Sequence, residues 1–294
     1  MRSYLAEFLS DPRVVQLPHW LWLPILHGFV LRNRPRKSAS KYAAIWTPEG
    51  SPLAVHTRRQ ADLLRDFLSH KDVAVEYAMR YGEPSIAQGL EKLAACRKIS
   101  VLPLYPQYSR STTESIRDKL GTSGGPGVHM VEDFHDHPAY IAALAAGVRH
   151  HWAAHGRSEK LVMSFHGLPR RAVELGDPYQ AQCQVTAKVL AGSLRIAPAD
   201  YVITFQSRFG AAEWLQPYTE PTLVGLARQG VRRVDVLCPG FVSDCLETLE
   251  EIDIEARRAF LGAGGREFHA LPCLNERPEW VEALAKITLE AGLK

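Results

Sequence analysis

Cysteine is scarce in this sequence and has no recognisable spacing. Among 294 residues there are five cysteines, and no two of them form a CxxC motif. An odd number of widely separated cysteines argues against a disulfide framework and against a thiolate cage for zinc or an iron–sulfur cluster. We therefore expect a reducing, cytoplasmic compartment.

Long apolar runs, blocks of one charge and nucleotide-binding motifs are also missing. No segment reaches the roughly 18 to 20 apolar residues that span a bilayer, and the N-terminus lacks the apolar core of a signal peptide. The 35 basic and 32 acidic residues are dispersed and give a net charge of +3, so nucleic acid is not an expected partner. Neither GxxxxGK(S/T) nor GxGxxG after a strand occurs, which disfavours phosphate chemistry.

The sequence does contain an alternation of strand-like and helix-like segments. Five short runs rich in Val, Ile and Leu predict buried parallel strands. They are residues 73–79, 99–105, 160–165, 201–205 and 233–238. Helical periodicity predicts seven helices around them. They are residues 57–69, 85–96, 138–155, 178–194, 221–230, 243–259 and 278–291.

This alternation predicts an α/β fold of two similar doubly wound, Rossmann-like domains, each with a parallel four-stranded sheet, and a cleft between the domains. We predict an N-terminal domain over residues 1–134, a second domain over 135–275, and a last helix over 276–294 that can cross back to the first. The halves also align with each other, because Glu114 in one and Glu247 in the other both follow a predicted strand. Such strand ends form the ligand crevice of open α/β sheets.

One histidine lies at such a strand end. In the string SFHGLP, His166 directly follows the third predicted strand. An imidazole there can exchange a proton near neutral pH or bind a metal ion. A structural hydrogen bond to the loop backbone is the alternative role.

Three carboxylates follow the fifth predicted strand at intervals of four residues. Glu247, Glu251 and Glu255 share one side of the predicted helix, with the apolar residues on the other. Periodicity alone favours a solvated acidic face. If that face lines the cleft, its oxygens suit a hard or borderline cation.

Two further histidine strings and one apolar segment have simpler interpretations. HHWAAH, which contains His151 and His155, predicts a solvated helix end because Trp152 stands where a zinc-protease motif needs glutamate. FHDHP predicts a polar loop before a helix that begins at Pro138. The apolar residues 17–31 are either a buried irregular segment or an exposed lip for a hydrophobic ligand or a membrane surface.

Seven strings, in order along the chain, together resemble the ferrochelatase family. They are WTPEGSPL from Trp46, RYGEPSI from Arg80, VLPLYPQYSRSTTES from Val101, SFHGLP from Ser164, GDPY from Gly176, TFQSRFG from Thr204 and PGFVSDCLETLEEIDIE from Pro239. They cover nearly the whole chain, and SFHGLP and SDCLETLEE are the most specific.

The resemblance implies a role for each matching residue. His166 matches the catalytic histidine, which removes pyrrole protons or binds the metal, and Glu247 matches the glutamate that faces it and shares metal binding. Glu251 and Glu255 match an acidic path for metal or protons. Porphyrin-binding residues are expected at Ser51, Tyr105 and Tyr108, and residues 17–31 match the family's hydrophobic lip.

The resemblance also implies the reaction, which is insertion of Fe(II) into protoporphyrin IX to form protoheme in heme biosynthesis. Fe(II) is then a substrate, no separate cofactor is needed, and no [2Fe–2S] cluster is expected because only Cys273 remains in the C-terminal tail. Alternatives are a chelatase for another tetrapyrrole, such as coproporphyrin, or for another metal, and a non-catalytic porphyrin or heme carrier. We expect a monomer or homodimer in the cytoplasm, with peripheral contact to the inner membrane through the lip.

One part of the family pattern has no counterpart in this sequence. Family members normally begin with a strand and a loop similar to VLLVNLGTP, and no such string precedes the matching segments here. We expect that the start codon was assigned too far downstream, and loss of the strand is the alternative.

Overall fold

The computed structural model of the protein describes residues 1–292 apart from residues 16, 124–126 and 211. In that part of the chain, helices surround two parallel sheets. The α-helices are α1 (Arg2–Leu9), α2 (His19–Ile25), α3 (Leu31–Ile45), α4 (Pro52–Phe67), α5 (Ile86–Lys92), α6 (Ser115–Ser123), α7 (Pro138–His155), α8 (Arg170–Glu174), α9 (Tyr179–Leu194), α10 (Thr219–Arg228), α11 (Arg257–Gly262) and α12 (Pro278–Gly292). The π-helical segments are π1 (Leu26–Val30), π2 (Arg110–Glu114) and π3 (Glu247–Ala256), and a 3₁₀ turn covers Pro198–Asp200.

The larger sheet has four parallel strands in the order β4-β3-β5-β6. The described strands are β1 (Ile99–Val101), β2 (Val128–Met130), β3 (Lys160–His166), β4 (Tyr201–Gln206), β5 (Arg233–Leu237) and β6 (Glu267–Ala270). The predicted α/β class with parallel sheets is confirmed, and the count of four strands is correct for this sheet.

Side chains of the larger sheet alternate between two apolar layers. On β3, Leu161 and Met163 belong to the core formed with α7, α9 and α12. Val162 points the other way, into a second core with residues of α10, π3 and α11. This alternation follows from the two-residue period of a strand, and helices on both faces explain why the strands are apolar throughout.

The smaller sheet differs from the prediction, because it contains β1 and β2 alone among the described residues. Residues 73–79 are extended but form no ladder, and their described pairing is a single bridge from Met79 to Ser85. The Val75 carbonyl instead accepts hydrogen bonds from the Arg65 guanidinium, at 3.2 and 2.9 Å. A four-stranded sheet is therefore wrong for the described part of this half, and at Val75 a side chain takes the carbonyl that a neighbouring strand would use.

Other element boundaries also differ from the prediction. The strands β2 and β6 have three and four residues, which is too short for a period-2 pattern to stand out. The predicted helix over 243–259 is mainly π3, continued by α11. Apolar periodicity cannot distinguish the i→i+5 hydrogen bonds of a π-helix from those of an α-helix.

The N-terminal helices pack over the acidic segment π3. They hold each other through Leu5, Leu9, Leu26 and Leu31, and α3 contacts π3 directly. At the other end of the chain, α12 packs on α7 and also on α4 and β1. The domain boundaries at 134 and 275 stay predictions. Within the described residues, none of the helices combines the length and the apolar character needed to cross a bilayer.

Candidate active site

Residues from β3, β4 and the chain after β5 meet at the C-terminal edge of the larger sheet. His166 is the last residue of β3, and its register partner is Gln206, the last residue of β4. The side chain of Gln206 donates to the Glu247 carbonyl at 2.8 Å, which ties the start of π3 to this edge. Because parallel strands bring their carboxyl ends together, the fold places His166 beside π3.

His166 is half-buried, and its tautomer is set by the backbone. Its Nδ1 lies 2.6 Å from the Gly167 carbonyl oxygen, so Nδ1 carries the proton and donates. The other nitrogen, Nε2, then keeps its lone pair for a proton or a metal ion. The ring lies between Phe241 and Trp214, with centroid distances of 6.3 and 6.5 Å.

Gly167 permits the close approach of β3 and β4 beside this histidine. Its N–H donates to the Gln206 carbonyl at 2.7 Å. A Cβ at position 167 would lie 2.6 Å from the same carbonyl oxygen and 3.1 Å from the Trp214 ring. Only glycine fits here without moving the strand ends.

Glu251 is fixed in place and has an altered acidity. Its carboxylate accepts hydrogen bonds from the Ser207 N–H at 2.6 Å and from the Ser207 hydroxyl at 2.5 Å. Burial and the charge of Glu247 raise the pKa of Glu251, although the bonds from Ser207 and the charge of His166 oppose this shift. His166, Glu247 and Glu251 therefore share one electrostatic environment.

Three tyrosines lie near enough to the Glu247 carboxylate for its charge to alter their acidity. Burial and the Glu247 charge raise the pKa of Tyr42 to about 12, and burial, Tyr42 and Glu247 raise the pKa of Tyr4. Tyr105 keeps 38% of its surface accessible. Protein atoms nevertheless surround its phenol group densely, and this desolvation, together with the Glu247 charge, raises the pKa of Tyr105. Helices α1 and α3 thus contribute tyrosine side chains to the region around Glu247.

The far end of the acidic helix is held by a lysine. Lys41 of α3 forms ion pairs with Glu250 at 2.7 Å and with Glu255 at 3.0 Å. Burial opposes its charge, but hydrogen bonds to both carboxylates raise the pKa of Lys41. Glu250 is only 10% exposed and Glu255 41% exposed at the side chain. The prediction of a solvated acidic face is wrong for Glu251, whose pKa is raised by burial and whose carboxylate is held by Ser207, whereas Glu255 is still partly solvated.

The geometry agrees with the comparisons to known proteins. A profile of the ferrochelatase family matches residues 1–291. The chain belongs to the ferrochelatase family. It is 58% identical to a ferrochelatase of Azoarcus sp., covering 99% of this chain and 83% of that protein. It is 57% identical to a ferrochelatase of Aromatoleum aromaticum, covering 98% of this chain and 81% of that protein. The predicted family is confirmed, and so is the prediction of an enzyme that inserts a metal into a porphyrin.

Solved structures agree on the fold. SirB from Bacillus subtilis with Fe3+ superposes with a TM-score of 0.58 at 16% identity, covering 83% of this chain and 92% of that chain. The sirohydrochlorin chelatase SirB in complex with cobalt gives 0.57 at 14% identity. At such low identity the likeness concerns the chelatase fold alone.

The residues predicted from the family to bind porphyrin have different local partners. Tyr105 is close to Glu247, as described above. The Tyr108 hydroxyl donates a hydrogen bond to Glu114 at 2.8 Å. Burial is the main cause, and this hydrogen bond the second, that raises the pKa of Tyr108 to about 12. Ser51 caps α4 by accepting from the Ala54 N–H at 3.3 Å. Porphyrin binding by these three residues stays a prediction.

Several residues around His166 and π3 were missed at the level of sequence. Gln206 and Ser207 lie in the string TFQSRFG, which spans the end of β4, so their position at a strand end was available as a signal. Tyr4, Tyr42 and Lys41 come from helices far from π3 in sequence, and no local pattern predicts where those helices pack.

The predicted lip is exposed and helical. Its largest accessible side chains are Trp20 (79%), Phe29 (68%), Leu17 (45%), Leu21 (44%) and Ile25 (43%). The opposite side of the segment is anchored, because Leu26 is fully buried and Trp22 donates to the Leu9 carbonyl at 2.6 Å. The prediction of a buried irregular segment is therefore wrong. Of the two prolines in this segment, Pro18 is the N-cap of α2 and Pro24 lies within α2.

The two histidine strings have different outcomes. In FHDHP, the predicted loop is present, and His135 binds Asp133 at 2.6 Å. In HHWAAH, His155 is exposed as predicted. The prediction is wrong for His151, whose side chain is only 13% exposed and faces Asp235. The helix end packs on β5 and β6, which periodicity could not reveal.

Proposed function

We propose that this protein inserts Fe(II) into protoporphyrin IX to form protoheme, the final step of heme biosynthesis. The observation that carries the proposal is the shared environment of His166, Glu247 and Glu251 at one edge of the larger sheet, in a chain of the ferrochelatase family. Insertion of Fe(II) releases the two pyrrole N–H protons of the porphyrin, so the site needs a base as well as metal ligands.

His166 supplies the base in this proposal. Its Nδ1–H is committed to the Gly167 carbonyl, so the Nε2 lone pair accepts the pyrrole proton and the ring becomes an imidazolium. The carboxylates of Glu247 and Glu251 stabilise that positive charge. The same lone pair suits Fe(II), and we retain His166 and Glu247 as the proposed metal ligands.

The acidic helix removes protons or delivers Fe(II) in this proposal. A raised pKa makes Glu251 a better proton acceptor than an ordinary glutamate near neutral pH. Glu255, one turn further and paired with Lys41 at 3.0 Å, forms the outer end of the path. Fe(II) is a substrate here, and no resident cofactor and no [2Fe–2S] cluster are part of the proposal.

Tyr105 has the best support among the proposed porphyrin contacts. The residue is partly exposed, and the Glu247 charge helps to raise the pKa of its hydroxyl. Tyr108 and Ser51 are engaged in local hydrogen bonds, and their part in binding the macrocycle rests on the family resemblance.

We also propose that the lip makes peripheral contact with the inner membrane from the cytoplasmic side. Support comes from the exposed Trp20 and Phe29 and from the basic residues that follow in α3. Because Trp22 has a structural hydrogen bond, the test variant is Trp20→Ser with Phe29→Ser. Native protein should partition onto anionic vesicles, and the double variant should not. Equal partitioning would remove the membrane proposal and leave the chemistry untouched. A monomer or homodimer stays our expectation.

The test of the reaction is anaerobic incubation of the purified chain with Fe(II) and protoporphyrin IX. We expect loss of porphyrin fluorescence with formation of the heme absorption spectrum. Parallel reactions with coproporphyrin and with Co(II) test the other chelatase assignments, and faster turnover of either would replace the proposed substrate. Tight porphyrin binding without product would indicate a carrier.

A further inference from the structure

A second group of metal-ligand side chains lies outside the site described above. His151 and His155 are in the last two turns of α7, Asp235 is in the middle of β5, and His269 is its register partner on β6. The Asp235 Oδ1 lies 3.1 Å from His269 Nδ1 and 3.4 Å from His151 Nε2. Two imidazoles therefore converge on one carboxylate oxygen.

Hydrogen bonding inside the protein leaves this group incomplete. The His151 Nε2 is shielded from solvent and has no hydrogen-bond partner among the described residues. Asp235 is fully buried, so its charge needs polar partners. Its second oxygen accepts from the Trp152 indole N–H at 2.7 Å. This bond orients the carboxylate so that Oδ1, which lies 3.1 Å from His269 Nδ1, faces both imidazoles, as outer partners of metal ligands commonly do.

The spacing of the ligand atoms matches a tetrahedral metal ion. Bonds of about 2.0 to 2.1 Å to nitrogen and oxygen place neighbouring ligand atoms about 3.4 Å apart. The observed separations of 3.1 and 3.4 Å are close to this value, and one ligand atom from each of the three residues lies within 4.8 Å of the others.

Two features of the surroundings favour a cation. The group lies at the C-terminal end of α7, an 18-residue helix, where the helix dipole stabilises positive charge. The His155 ring lies 4.7 Å from the His151 ring and 5.5 Å from the His269 ring, centroid to centroid. This third imidazole is exposed to solvent.

The group is well separated from His166. Asp235 is the register partner of Leu161, and His166 lies five residues further along β3. At about 3.3 Å per residue, that distance is about 16 Å along the strand. A metal ion here would not be the one that enters the porphyrin.

We propose that His151, Asp235 and His269 form a binding site for a divalent transition-metal ion such as Zn²⁺, which joins the end of α7 to β5 and β6. The two imidazoles and one carboxylate leave one position for water or His155. Its first role is structural, because it connects a helix end to two strands of the larger sheet.

The test uses Co²⁺ as a spectroscopic probe on the full chain carrying His166→Ala, which removes a proposed ligand of the active site. We expect one equivalent of Co²⁺ to give a visible absorption band of low-symmetry coordination, and Zn²⁺ to displace it. His151→Gln and His269→Gln, added separately, should weaken Co²⁺ binding by at least about ten-fold. His150→Gln is the matched control, because His150 is the exposed neighbour on the same helix, and it should bind Co²⁺ as the parent does.

Other results would overturn the site. Binding of Co²⁺ by His151→Gln and His269→Gln with the affinity of the parent would place the ion elsewhere. If these variants fail to fold, the parent chain tests the site, because Co²⁺ bound beside Trp152 must quench the fluorescence of Trp152. Quenching that persists undiminished in a Trp152→Phe chain, or a parent with no coordination band, would exclude the proposal.

Discussion

Ser207 donates both its backbone N–H and its hydroxyl to the carboxylate of Glu251, at 2.6 and 2.5 Å. The residue has a φ of 66°, a left-handed conformation that a non-glycine residue rarely adopts. This backbone lets one residue present two donors to the same carboxylate. Such strain is typical of functional sites, and here it holds Glu251 at the edge of the sheet beside His166.

Glu251→Gln should change how stability depends on pH. The folded pKa of Glu251 is raised, so its contribution is fully present below the unfolded pKa and is lost as pH rises through the folded value. Relative to the variant, the native chain should therefore lose stability as pH rises from the unfolded pKa of a glutamate, about 4.3, through the raised folded pKa. Urea unfolding across this range measures the difference.

The control for Glu251 is Glu282→Gln, at an exposed residue on α12, which should change the free energy of unfolding by less than about 0.5 kcal/mol. Glu251→Gln should also slow metal insertion by about 10²-fold if the carboxylate transfers protons. Native turnover in this variant would exclude that role.

Gly167→Ala should disturb the active site through the backbone. The added Cβ would lie 2.6 Å from the Gln206 carbonyl oxygen, so the ends of β3 and β4 must move apart. We expect a loss of about 1 to 3 kcal/mol in the free energy of unfolding and slower metal insertion. Gly225→Ala, in α10 with no atom within 4 Å of the new Cβ, should be neutral or stabilising by up to about 1 kcal/mol. Equal stabilities of the two variants would contradict the packing at Gly167.

Asp11→Asn should weaken the attachment of the N-terminal helices to the rest of the protein. Asp11 accepts from the Ser115 hydroxyl at 2.5 Å and from the Tyr81 hydroxyl at 2.9 Å, and it pairs with Arg80. Removing one partner of a buried ion pair costs about 3 kcal/mol, measured as the free energy of unfolding. The exposed pair of Asp62 with Arg65 offers the control Asp62→Asn, which should change stability by less than about 0.5 kcal/mol.

The Asp11 group also predicts a pH dependence of opposite sign to that of Glu251. Burial opposes ionisation, but the bonds from Ser115, Arg13 and Tyr81 lower the pKa of Asp11. Its contribution is therefore present above the unfolded pKa and is lost as pH falls through the folded value. The stability gap between native protein and Asp11→Asn should shrink on acidification, and a gap that widened would contradict the assignment.

Lys41→Met should loosen α3 from the acidic helix. The substitution leaves Glu250, 10% exposed at its side chain, without its partner at 2.7 Å, and a buried carboxylate without a partner is destabilising. We expect faster proteolysis within α3 than in native protein. Lys92→Met removes an exposed pair with Glu76 and should leave the cleavage rate of α3 unchanged. Equal rates for the two variants would show that Lys41 does not hold the helix.

The sequence was sufficient to predict the parts of the site that lie at strand ends. His166 follows a buried strand, and Glu247 begins a helix after another, so the parallel sheet brings them to one edge. Family strings then assigned their chemistry. The predicted positions at the sheet edge agree with the structure because local hydrophobicity and strand order determine where such residues lie, whereas their chemical roles stay predictions.

What escaped prediction depends on long-range packing. Lys41 pairs with residues 209 and 214 positions away in sequence, and the convergence of His151 with Asp235 requires α7 to end over β5. Residues 73–79 have a strand-like pattern, but the Arg65 side chain occupies a carbonyl that a neighbouring strand would use. Local sequence patterns contain no information about such partners.

The central claim, that His166 accepts the pyrrole protons during metal insertion, is tested most directly by the turnover rate of His166→Ala with Fe(II) and protoporphyrin IX. We predict that the variant still binds the porphyrin, measured by quenching of porphyrin fluorescence, and forms heme at least about 10²-fold more slowly than native protein. His150→Ala, an exposed histidine on α7, should turn over at the native rate. Heme formation by His166→Ala at the rate of native protein would contradict the account.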